Sequence, residues 1–326
     1  MTATTIAYGA LVLGGGASGS ITMGVGSLRV DGTTTINAGA TLGTAATPYT
    51  LDLRGSLLAS TGTLIAPDLS APTGIFFFSG AVWNTPTVFT HSSGLVDFGG
   101  LGTVTFGNNS TAFYNVQLDA GTVLDTSAAN NYTFTTANNF VEWGTFNGNG
   151  STVSHGGWLS LGALATYNAT TATTTVTGNM ESLGTFNALG GLFVLNGTAQ
   201  TIDGSWTFWS FTKSVAVADT LTFENGETYT FGGNVTLNGA AGQLLTLQSD
   251  AGGSTFAFVM SAGAVKTNLD YLIVTDSDAS GSDGTQKPIN PTHSTDGGNT
   301  VAWFPSGTGD GIVDDFLLIM LEAGLG

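Results

Sequence analysis

The chain has no cysteine, which excludes disulfide staples, thiolate metal sites and cysteine nucleophiles. Basic residues are almost as scarce: five Lys and Arg stand against 22 Asp and Glu, for a net charge of -17. A protein so poor in cations cannot neutralise a phosphate backbone, so nucleic acid is excluded as a partner. The same shortage disfavours an anionic membrane surface. Charged residues of both signs make up only 8% of the sequence. No apolar run approaches the roughly 18 residues of a membrane-crossing helix, so membrane insertion is not expected. The opening residues lack a basic segment, and their apolar run from Ile6 to Leu13 is broken by Gly9, so no intact signal peptide is read there.

What is present points to a folded β protein. Hydrophobic residues are 41%, with 20 Phe, too apolar for a disordered chain. Gly numbers 49 and Thr is about one residue in six. Helix signals are nearly absent before residue 310. Short alternations of Thr with apolar residues recur instead: Thr103-Val104-Thr105-Phe106, Tyr132-Thr133-Phe134-Thr135 and Thr220-Leu221-Thr222-Phe223. Period-2 alternation of β-branched and aromatic residues marks strands. Gly and Asn clusters such as Gly107-Asn108-Asn109 and Gly232-Gly233-Asn234 supply the turns between them.

Internal similarity selects a solenoid over a sandwich. Gly144-Thr145-Phe146-Asn147 returns as Gly184-Thr185-Phe186-Asn187, 40 residues later. That distance is two coils of about 20 residues. Like residues should then stack one strand spacing apart, roughly 4.8 Å, with Phe and Leu inside and Thr and Asn outside or at corners. The expected fold is all-β, a parallel β-helix over residues 1–304 with some 13 coils. A linker and apolar tail follow over 305–326.

Within residues 200–304, several blocks are distinctive. They include Leu221 to Phe231, Val235 to Leu247, Asn268 to Ala279, and Asn290 to Trp303 with Ser294-Thr295-Asp296-Gly297-Gly298-Asn299. This region resembles the end module of large bacterial surface and adhesin-type proteins with right-handed parallel β-helix passengers. The resemblance implies a prokaryotic surface or secreted location and an adhesive or structural role. It supplies no catalytic residues.

The tail reads Asp310-Gly311-Ile312-Val313-Asp314-Asp315 followed by a Leu-rich stretch to Gly326. Asp314 or Asp315 would N-cap a short helix, with Gly324 as its stop. It resembles a half-repeat of dockerin-type calcium modules, but Ser306, Thr308 and Leu317 stand where acidic ligands belong. Apolar nearly all round, it must bury somewhere. Ile312, Val313, Phe316, Leu317 and Met320 are the residues expected to dock on a neighbouring subunit.

Motifs with chemistry are few. Asp276-Ser277-Asp278-Ala279-Ser280-Gly281 matches the first half of an EF-type calcium loop. Lys287 occupies the place of its last ligand, which leaves Asp276, Asp278, Ser280 and Asp283 as candidate Ca2+ ligands. The competing reading is a polar turn whose Asp side chains cap their own backbone. Six Trp could stack on sugars, or they could fill the core. Arg29, Arg54, Lys213, Lys266 and Lys287 are scattered, His91, His155 and His293 share no motif, and Asp314-Asp315 is the one adjacent acid pair. Catalysis is therefore not expected. The expected function is a structural subunit of an extracellular filament or surface layer, joined head to tail with copies of itself. The alternative is a surface adhesin for glycans, and the third is a polysaccharide lyase or hydrolase.

Overall fold

A computed structural model describes residues 5–14, 19–24, 26–43, 49–58, 61–68, 74–84, 86–107 and 111–305. The chain is all-β, with parallel strands stacked as a β-solenoid of about 12 turns. No helix occurs among the described residues. The tail, with Ile312, Val313, Phe316, Leu317 and Met320, lies outside them. Two compact units are formed, residues 1–197 and 198–326.

In the first unit three sheets enclose the core over its later coils. One carries Ile75–Phe78, Leu95–Phe98, Asn115–Leu118, Phe140–Glu142, Leu159–Leu161 and Met180–Ser182. The second carries Gly102–Phe106, Thr122–Asp125, Thr145–Asn147, Thr166–Asn168 and Thr185–Asn187. The third carries Thr111–Phe113, Phe134–Thr136, Val153–His155, Thr173–Val176 and Leu192–Leu195. Period-2 alternation decides what points inward. Phe76, Val96, Val116, Phe140, Leu159 and Met180 follow one another in register and are all buried. Burying each such side chain contributes about 1.5–3 kcal/mol. Across the interior Phe98 meets Phe113 edge-on, with ring centroids 5.6 Å apart.

The 40-residue repeat is two coils. Thr145, Thr166 and Thr185 are register partners, as are Asn147, Asn168 and Asn187. The Asn side chains form a ladder: Asn187 Nδ2 donates to Asn168 Oδ1 at 2.8 Å, and Asn168 Nδ2 to Asn147 Oδ1 at 2.8 Å. Asn147 Nδ2 ends it on Asp125 Oδ2 at 3.3 Å. Coil length is not fixed. Ile75, Leu95 and Asn115 are 20 residues apart in sequence, Val116 and Phe140 are 24, and Phe140 and Leu159 are 19. The strand expected at Tyr132 begins at Phe134, because Asn131 has a positive φ of 52° and turns the chain just before it.

The second unit uses longer coils: Leu221 pairs with Leu247, and Tyr229 with Phe258, offsets of 26 and 29 residues. Its core is aromatic. Phe223 stacks on Phe256 with centroids 4.3 Å apart, and Phe231 lies 4.5 Å from Phe258.

Candidate functional site: an outer groove and the buried polar groups

The outward positions of the first sheet carry polar residues at the coil spacing. Asp52, Phe77, Asp97 and Gln117 are successive register partners on this face. Just past the same strands come Arg54, Ser79, Gly99 and Asp119, whose amides bond the last carbonyls of the preceding coil. Because Ser79, Gly99 and Gly100 are small, the surface dips there. The resulting cavity, about 430 Å³, is lined by Asp52 and Arg54, by Phe77 and Ser79, and by Gly99, Gly100 and Asp119. Gly100 has a φ of +87°, a conformation that glycine adopts without strain.

The electrostatics of the groove are acidic at one end and neutralised at the other. Gln117 Nε2 donates to Asp97 Oδ2 at 3.4 Å and to Asp119 Oδ1 at 3.2 Å. Asp97 is only 5% exposed although it faces outward, and its Oδ1 has no hydrogen-bond partner among the described residues. Burial first, and the charge of Asp119 second, push its carboxyl up to about 6. Arg54 lies 3.0 Å from Asp52 and 4.0 Å from Asp31, which Arg29 also holds at 2.6 Å. The groove thus offers acceptors, a half-buried phenyl ring and cations already paired with carboxylates.

Three tryptophans are core residues (Trp83, Trp206 and Trp303), and three are surface residues: Trp143 at 41%, Trp158 at 53% and Trp209 at 50% exposure. Trp206 and Trp209 face opposite ways, as their spacing predicts. Leu118 and Glu142 are register partners, so Trp143 sits one coil beyond Asp119 in the same place. Its indole lies on the backbone of Gly162, the equivalent residue of the next coil. A Cβ there would collide with Cδ1 and Nε1 of the ring. Trp209 likewise lies against Gly232 and Gly233.

Two buried polar groupings were not read from the sequence. Glu142 points into the core between Leu118 and Leu161, and neither of its carboxylate oxygens has a partner among the described residues. Burial pushes it up to about 8, opposed in part by the nearby Phe146 amide, which does not reach hydrogen-bond geometry. From the facing sheet, His155 is fully buried, with Nδ1 3.0 Å from Thr136 Oγ1 and Nε2 3.1 Å from Tyr167 Oη. Thr136 Oγ1 donates to the Asn138 carbonyl, so it accepts from Nδ1–H, and Tyr167 then donates to Nε2. Burial lowers the imidazole to about 3 and keeps it neutral. In the second unit Lys213 is fully buried, with Nζ 2.7 Å from Asp219 Oδ2 and 3.0 Å from Gln200 Oε1. Burial raises Asp219, but the hydrogen bond from Lys213, the Ala199 and Thr220 amides and the Lys213 charge outweigh it and hold the carboxylate low. Period 2 was the available signal: Phe140 with Glu142, and Phe211 with Lys213, each share a face.

Asp278 and Asp283 are engaged within their own loop, and Asp276 is engaged from the next coil. Asp276 accepts from Asn299 Nδ2 at 2.7 Å, and Asp278 caps the Ser280 amide at 2.7 Å. Asp283 caps Thr285 through its amide and hydroxyl, which hold its pKa low. Lys287 Nζ reaches the Ser280 carbonyl at 2.8 Å. Among the described residues no group of three His, Asp or Glu side chains is placed to hold a metal ion. Comparison with protein-family models, curated proteins and solved structures gave no match.

Proposed function

We propose that the chain is a structural subunit of an extracellular filament or cell-surface layer of a prokaryote, without catalytic activity. The apolar sequence of the tail supports the assembly reading, and one structural observation speaks against catalysis: every basic side chain is engaged by the protein itself. Arg29 and Arg54 hold Asp31 and Asp52, and Lys213 holds Asp219. Lys266 and Lys287 bond the carbonyls of Pro288 and Ser280. His155 is in the core, His293 bonds Asp270 and stacks on Tyr271, and His91 stacks on Tyr114. Lyase chemistry needs a base free to take a proton. Glycoside hydrolysis needs two carboxylates flanking a bond, whereas Asp97 and Asp119 hang side by side on one amide nitrogen.

Assembly is assigned to the apolar tail, through Ile312, Val313, Phe316, Leu317 and Met320, docking head to tail on a further copy. A contact of that kind does not close, so it builds filaments. Sedimentation velocity tests it. The full chain is expected to form large species that grow with concentration, and Phe316→Asp with Met320→Asp is expected to sediment as a monomer. A full chain that stays monomeric overturns the reading. A second reading, adhesion to glycans, is favoured by the outer groove and by the indoles seated on glycine.

A further inference from the structure

The groove and Trp143 belong to one line of positions on the outer face of the first unit. Arg54, Ser79, Gly99, Asp119 and Trp143 each follow the last residue of their strand, one coil apart. Strand spacing places Ser79, four coils' worth of sheet from Gly162, about 19 Å away along the line. The features along it are a dip, a pair of carboxylates and a flat indole.

We propose that this line is a binding lane for an uncharged glycan, with one sugar ring stacked on Trp143 and a neighbouring ring hydrogen-bonded by Asp119 in the groove. The inference rests on the adhesion reading and is independent of filament formation. Three points lead to it. A cavity with few polar groups beside an aromatic surface is how small-molecule sites are built. Gly162 lets the Cδ1–Nε1 edge of the half-exposed indole rest against the backbone, which holds the ring in place, at little cost in side-chain freedom on binding. The C–H bonds on one face of a pyranose ring are weakly positive and suit the negative face of an indole.

Charge selects the class of sugar. Asp52 and Asp119 line the groove, Asp97 lies on the same face bonded by Gln117, and Arg54 is already paired with Asp52. A uronate would enter a negative field and find only an Arg54 cation already shared by Asp52 and Asp31, in a chain of net charge -17. A neutral hexose polymer meets no such barrier.

Isothermal titration of the full chain with cellopentaose, mannopentaose, chitopentaose and tetragalacturonate tests the proposal. At least one neutral pentasaccharide is expected to bind, and tetragalacturonate is not. Trp143→Ala and Asp119→Asn are each expected to weaken binding tenfold or more, and Trp143→Phe to retain part of it. Gly162→Ala, which keeps the indole but lifts it off its seat, is expected to weaken binding about as much as Trp143→Ala. Trp209→Ala, in the other unit, is expected to change nothing. Binding that survives both Trp143→Ala and Gly162→Ala would overturn the lane while leaving adhesion in place. Absence of binding to every sugar would overturn both.

Discussion

Glu142 and Trp143 are neighbours in sequence and have exchanged the environments their chemistry suggests: the carboxyl is buried in the core, and the indole lies on the surface. Register enforces this. Phe140 occupies the inward ladder between Val116 and Leu159, and period 2 takes Glu142 inward with it. The turn after Glu142 then carries Trp143 outward over Gly162.

The buried acid and imidazole make stability depend on pH in opposite directions. Glu142 is raised from 4.5 to about 8, so between those values the unfolded chain loses a proton that the folded one keeps, and stability falls as pH rises. His155 is lowered from 6.5 to about 3, so between those values the unfolded chain holds the extra proton, and stability rises with pH. The two effects cancel between about 4.5 and 6.5, so there only Asp97, raised from 3.8 to about 6, acts, and it too lowers stability as pH rises. Above 6.5 only Glu142 acts, and stability drops by about 2 kcal/mol on going to pH 8. Urea unfolding midpoints should fall from pH 6.5 to 8, and Glu142→Gln should abolish that fall.

Replacing Glu142 by Leu should also stabilise the protein at pH 8. It matches the flanking Leu118 and Leu161 and removes two unsatisfied oxygens, a change worth about 1–3 kcal/mol. A lower melting temperature for Glu142→Leu would mean that the carboxyl has a partner the interior ladder does not show.

Lys213 should behave in the opposite sense. Lys213→Met leaves the Asp219 carboxylate without its buried counter-charge and should cost about 3–5 kcal/mol, seen as a lower unfolding midpoint. Adding Asp219→Asn to it should restore part of the loss.

The Asn ladder is a smaller staple. Asn168→Ala breaks the bonds to both Asn187 and Asn147, and it should cost about 1–3 kcal/mol by the same measurement.

The loop at 276–283 is expected to be indifferent to calcium. Asp278 and Asp283 cap their own backbone, and the Lys287 ammonium sits on the Ser280 carbonyl. Thermal midpoints with calcium and with chelator should coincide. A clear rise with calcium would restore Asp276, Asp278, Ser280 and Asp283 as ligands.

The solenoid was legible because its alternation is local and one repeat is nearly perfect. The intermediate coil, Thr166-Tyr167-Asn168, escaped notice because it keeps the Thr and Asn but replaces Phe by Tyr and lacks the preceding Gly. The remaining coils vary in length because corners accept insertions without disturbing the strands, which erases any fixed period. The groove residues were not legible for the same reason. Asp52, Phe77, Asp97 and Gln117 are partners only once the offsets of 25, 20 and 20 residues are known. Glu142 and Lys213 are charged, a chemistry that favours the surface, but their periodic neighbours Phe140 and Phe211 place them inside.

Negative-stain electron microscopy of the purified chain, beside a variant lacking residues 306–326, tests the central claim most directly. Long regular filaments of the full chain that vanish on deletion are the predicted result. Isolated particles from the full chain, or filaments that persist unchanged in the variant, would contradict it.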